Sequence, residues 1–139
     1  MAANSRFAVA VHAMAVLGSS GEKYVTSDRI AASVNTNPVV IRRLISSLVK
    51  SKLVESLPGK AGGARLSKKP DRVTLLDIYR AVESDGIFAL HAKPEEKSCP
   101  VSCRMKAVLK PMFRSAEQAV EDALKRQTLA DILSELHLK

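Results

Sequence analysis

The sequence predicts a mostly α-helical chain with one small β-hairpin in its first half and a long helix near its C-terminus. Three observations carry this expectation. Apolar residues recur three or four apart in several segments and alternate as a strand would in only one. Aromatic residues are 4% of the chain, with no Trp, so the core must be built from Leu, Val, Ile, Met and Ala, which suits helices better than aromatic-rich strands. A length of 139 residues, 46% hydrophobic and 26% charged, fits one ordinary domain with an accessory helix and excludes disordered, fibrous and large multidomain proteins.

From Ser5 to Leu17, Phe7, Val9, Val11, Met14 and Leu17 stand among alanines, and the Gly18 to Gly21 stretch supplies a stop. Thr26-Ser27-Asp28 offers an N-terminal hydroxyl cap for a second helix with Ile30, Ala31 and Val34 as its stripe. Asn35 to Asn37 breaks the chain, and Pro38 opens a third helix reaching about Lys50. Its inner stripe is Val40, Ile41, Leu44, Ile45 and Leu48, with Val39, Arg42, Arg43, Ser46 and Ser47 on or near the other face.

Two short helices joined by about four residues, the second with adjacent arginines near its start, form a helix-turn-helix pattern suited to a DNA major groove. Lys52 to Leu57 then alternates as a strand, Pro58 to Gly63 is a turn, and Ala64 to Ser67 returns antiparallel. A hairpin directly after a helix-turn-helix is a wing. Its tip is expected to carry Lys60 and Arg65, with glycines that let the backbone approach a phosphate or the minor groove. A nucleotide-binding loop is the competing reading of these glycines, and it lacks both the Gly-Lys-Ser/Thr ending and a βαβ context.

Thr74 caps a fourth helix with Leu75, Ile78 and Val82 inward, and residues 84 to 98 read as a loop. Pro100 opens the longest periodic segment, in which Val101, Met105, Val108, Met112, Ala116, Ala119 and Ala123 step along one face. Continuous to Arg126, this helix would be about 40 Å long, more than the small domain before it can cover. The simplest cover is the same helix of a second chain, giving a homodimer, although Pro111 should kink the helix or divide it. Leu129, Ile132, Leu133 and Leu136 after Thr128 make a last helix able to fold back on the domain. The expected organisation is a winged helix-turn-helix domain over residues 1–84, an effector or linker loop over 85–99, and dimerisation helices over 100–139.

The charge supports this division. Of the net +8, all is contained between Lys23 and Arg72, where eleven basic residues face three acidic ones, while the rest of the chain is neutral. One basic module on a neutral remainder points to a polyanionic partner, and the lack of base-stacking rings on it favours double-stranded DNA over single strands. The longest apolar run, Phe7 to Leu17, is too short to span a membrane and is interrupted by His12. Two cysteines four residues apart do not make a secreted disulfide framework, so the cytoplasm is the expected compartment.

Over nearly its full length the chain resembles the Rrf-two family of winged-helix transcription regulators. The resemblance rests on the ordered set Ser5 to Ala8, Ile30-Ala31, Asn37 to Leu44, Gly59 to Leu66, Thr74 to Ile78, Cys99-Pro100-Val101 and Thr128 to Ile132. It departs at Ala64, where many relatives have Tyr. The resemblance implies a dimeric, sequence-specific DNA-binding regulator, here expected to be a repressor of a pseudo-palindromic operator, with no catalytic residues. The DNA-facing set is then Ser5, Arg6, Ser27, Asn37, Pro38, Val39, Arg42, Arg43, Lys50, Lys60, Gly62, Gly63 and Arg65. Relatives such as the iron-sulfur cluster regulator hold a cluster with three cysteines and one further ligand; Cys99 and Cys103 alone do not complete such a site, so no cofactor and no metal are expected. The two thiols are instead candidates for redox sensing, because Cys99 stands at a helix N-terminus beside Lys97 and Arg104, and a small effector is the other candidate signal. A small thiol oxidoreductase and a helix-mediated protein-interaction module are the alternatives; the first lacks Cys-x-x-Cys spacing.

Overall fold

A computed structural model of the chain describes residues 4–83 and 85–137, so the expected domain limits at 1, 84 and 139 lie outside it. The elements are α1 (Arg6–Ser19), α2 (Ser27–Val34), α3 (Pro38–Lys50), β1 (Val54–Leu57), β2 (Gly63–Leu66), a 3₁₀ turn (Pro70–Arg72), α4 (Leu75–Val82), α5 (Pro100–Lys125) and α6 (Leu129–Glu135). They form two compact units, the first taking the described residues up to 83 together with those from 124 onward, the second residues 85–123. The last helix therefore belongs with the winged domain, not with the expected 100–139 segment.

Several helix starts are fixed by side-chain caps. Thr26 accepts the Arg29 N–H at 3.2 Å, and Asn37 accepts that of Val39 at 2.8 Å with Pro38 in the first turn. Asn35, left-handed at φ 66°, turns the chain between α2 and α3. Thr74 and Thr128 each form a reciprocal capping box, with Asp77 and Asp131. The two capped ends are themselves paired, Leu75 N–H donating to Gln127 O and Leu129 N–H to Val73 O. This ladder ties α6 to α4.

The core of the first unit gathers Met14 and Leu17 of α1, Ile30 of α2, Ile41 and Leu48 of α3, Ile78 of α4 and Leu129 of α6, all fully enclosed. Helix α1 ends at Ser19, capped by Ser20, inside the Gly18 to Gly21 stretch expected to stop it. A Cβ at Gly18 would lie 2.9 Å from Leu133 Cδ1, so the glycine is a point of close approach for α6. In α4, Ile78 and Val82 lie in this core and the half-buried Leu75 packs against it, as their spacing predicts; Leu76 is buried as well.

Helix α5, which makes up most of the second unit, is continuous over 26 residues, about 39 Å at 1.5 Å per residue, and Pro111 does not divide it. Proline removes one backbone donor, and the carbonyl left over belongs to Ala107, an exposed residue that water can satisfy. No residue of α5 is fully buried. Phe88 of the preceding loop stacks on Phe113 with centroids 5.1 Å apart.

Candidate nucleic-acid interface

The apolar stripe of α3 (Ile41, Leu44, Ile45, Leu48) is sunk into the core, so the opposite face is fixed outward: Val39, Val40, Arg42, Arg43, Ser46, Val49 and Lys50. Val40, placed inward from the sequence, is 40% exposed, while the buried positions of α3 are Ile41, Leu44, Ile45 and Leu48. Arg42 pairs with Asp28 of α2 at 3.6 Å, both side chains open to solvent. Arg43 and Lys50 form no ion pair among the described residues. Ser27 is half-buried in the first turn of α2, and Ser5 is exposed just ahead of α1.

Beside this face stands the hairpin. Strands β1 and β2 pair antiparallel with Glu55 opposite Arg65 and Leu57 opposite Gly63, leaving Pro58 to Gly62 as the turn and Lys60 exposed at its tip. A Val25–Ala64 bridge, with both hydrogen bonds at 2.8 Å, docks the hairpin on the segment before α2. The wing thus remains packed with the small Ala64, itself buried. An open cleft of about 350 Å³ lies between α2, α3 and the wing, bordered by Ser27, Arg42, Ser56 and Gly59.

Three of the residues expected to face DNA also make contacts within the chain. Arg65 is not at the tip but midway along β2, where its Nε donates to Glu55 at 2.9 Å and its Nη1 to the Glu22 carbonyl at 3.3 Å. Its guanidinium also lies 4.5 Å from the centre of the Tyr24 ring. The hydrogen bond to Glu55 raises the Arg65 pKa above its ordinary value. Gly62 is buried, and a Cβ there would sit 1.9 Å from Leu57 O, so its role is to close the turn. Arg6 makes a two-pronged contact with Glu83, at 3.2 and 3.4 Å, which joins the start of α1 to the end of α4. The Arg65 pairing was within reach of the sequence, since a hairpin closed by residues 58–62 sets 55 against 65 by counting.

At the start of α5, Cys99 Sγ accepts the Ser102 N–H at 3.5 Å and Cys103 Sγ approaches the carbonyls of Glu96 and Lys97 at 3.6 and 3.5 Å. Cys99 is half-buried and Cys103 exposed. Ser98 hydrogen-bonds the Glu96 carboxylate through both its hydroxyl and its N–H, holding the Glu96 pKa below the usual range. Of the dimerisation set, Val101, Met105, Val108, Met112, Ala116, Ala119 and Ala123 are all exposed.

A profile of the family Rrf2, described as "Iron-dependent Transcriptional regulator", matches residues 3–135. The chain belongs to the Rrf2 family. YwnA of Bacillus subtilis, a candidate HTH-type transcriptional regulator, is 41% identical over 134 residues, 96% of this chain and 98% of that protein. Among solved structures, IscR of T. potens superposes with a TM-score of 0.72 at 26% identity, over 98% of this chain and 88% of that one. CymR, the global cysteine regulator of B. subtilis, does so at 0.70 and 25% identity, over 97% and 98%. The Rrf2 chain is therefore a DNA-binding helix-turn-helix transcriptional regulator and not an enzyme, which removes the thiol oxidoreductase reading. Among the described residues no three His, Cys, Asp or Glu side chains converge to hold a metal ion. No helix among the described residues is long and apolar enough to cross a membrane.

Proposed function

We propose that this Rrf2 regulator acts as a homodimer on a pseudo-palindromic operator, as a repressor, without a resident metal or cluster. Helix α3 enters the major groove of each half-site, and Lys60 at the wing tip meets the backbone or minor groove beside it. The observation that carries the dimer is the face of α5, where Val101, Val108 and Met112 are 62, 54 and 61% exposed on a helix with no buried residue. An apolar stripe of that length fits a second copy of itself, the isologous contact of a two-fold dimer. Light scattering should report two 15.0 kDa chains per particle, and Met112→Glu should convert it to monomer with weakened binding to promoter duplexes in gel shifts. A wild-type monomer that still shifts DNA at full affinity contradicts the reading.

The half-buried Cys99 and the exposed Cys103 support an oxidant as the signal. Joining them releases two protons and two electrons, which hydrogen peroxide takes up as it is reduced to two waters. A disulfide across one helical turn requires the start of α5 to unwind. Peroxide should then weaken DNA binding reversibly, and Cys103→Ser should abolish the response; an unchanged response assigns the signal to another small effector.

A further inference from the structure

The leading edge of α3 presents methyl groups where a recognition helix ordinarily presents donors and acceptors. Pro38 has no N–H, the Asn37 side-chain oxygen is occupied by the Val39 N–H, and the next two side chains are Val39 and Val40, 45 and 40% exposed. No polar side chain follows until Arg42. The N-terminal residues of a helix lying in the major groove are those that meet base edges, and the apolar group on such an edge in unmodified DNA is the thymine 5-methyl.

We infer that Val39 and Val40 specify thymine in each operator half-site, through contact of their isopropyl groups with the 5-methyl in the major groove. The inference rests on the reading of α3 as the recognition helix. The occupant is DNA, not an apolar protein surface, because Arg42, Arg43 and Lys50 flank the two valines on the same exposed face and demand an anionic partner. Both valines are β-branched and hold essentially one rotamer in a helix, so their methyls are positioned before DNA arrives. Arg42 and Arg43, one turn further along, then supply the hydrogen-bonded part of the readout.

The test uses the full chain with duplexes it selects from a randomised library, followed by fluorescence anisotropy at constant salt. The selected half-site should hold a fixed thymine, and replacing it by deoxyuridine, which removes only the methyl, should weaken binding about fourfold per contacted methyl. Val39→Ala and Val40→Ala, changes to a better helix former at exposed positions, should each bind more weakly. At the base its side chain contacts, each should discriminate thymine from deoxyuridine by less than twofold. Equal wild-type affinity for thymine and deoxyuridine duplexes overturns the inference while leaving sequence-specific binding intact. So does a deoxyuridine penalty that persists unchanged in both variants. Failure to select any sequence overturns the recognition-helix reading and the inference with it.

Discussion

Gly63 holds the wing against the body of the domain, and replacing it by Ala tests that attachment. Its φ is +144°, and a Cβ there would lie 2.3 Å from Val25 O and 2.5 Å from Val25 C. The backbone conformation alone costs a non-glycine residue about 1–3 kcal/mol. The clash also falls on the carbonyl that receives the Ala64 N–H, so relief separates the Val25–Ala64 bridge and loses up to two hydrogen bonds of 2.8 Å, about 1 kcal/mol each. The sum is roughly 3–5 kcal/mol, and with a urea m-value of about 2 kcal/mol/M the midpoint should fall by some 1.5–2.5 M. Gly59→Ala is the control. Gly59 also has positive φ, +99°, but a Cβ there meets nothing within 4 Å, so only the conformational cost applies. Urea titrations followed by far-UV circular dichroism should separate the two variants by about 2 kcal/mol. Equal midpoints, or a loss below about 1 kcal/mol in Gly63→Ala, would refute the account of how the wing is docked.

Thr74→Ala and Thr128→Ala should each cost about 1 kcal/mol in the same titration. Because their capped ends are paired through Leu75–Gln127 and Leu129–Val73, the double variant should depart from the sum of the singles; strict additivity would contradict the coupling. In anisotropy assays Arg43→Ala should reduce discrimination between selected and scrambled duplexes, whereas Lys60→Ala should weaken both alike and lower the salt slope by about 1. The reverse pattern would exchange their roles. Ser98→Ala should let the Glu96 carboxyl titrate upward toward the ordinary range in an NMR pH titration. A depressed carboxyl stabilises the α5 start above its unfolded pKa, and that contribution vanishes as pH falls through its folded value. An unmoved Glu96 titration would show that Ser98 is not the cause.

Local signals were legible where chemistry acts over three or four residues. Thr26 and Thr74 cap the helices as their positions predict, Asn37 and Thr128 prove to be caps as well, and the glycine-rich turn closes the hairpin. Errors arose where distant segments decide. Val40 has the spacing of a core residue, yet it is 40% exposed in the first turn of α3. Gly18 belongs to the stretch that ends α1, but that it is also the point where Leu133 packs closely shows only in the fold. Arg6 and Arg65 also pair within the chain, with Glu83 and Glu55, contacts between residues 77 and 10 positions apart that charge counting alone does not show. Periodicity also cannot tell whether a covering surface belongs to the same chain: α6 folds onto α1, while the stripe of α5 stays bare.

The central claim is that two copies of α3 read one DNA site. Hydroxyl-radical and methylation-interference footprinting on a duplex selected by the full-length protein measures this directly. The account predicts two symmetric zones of major-groove protection with centres one helical turn apart, about 10–10.5 base pairs, or a whole multiple of it, each flanked by weaker contacts from the wing. A single unpaired zone, or protection spread evenly along the duplex, would contradict it.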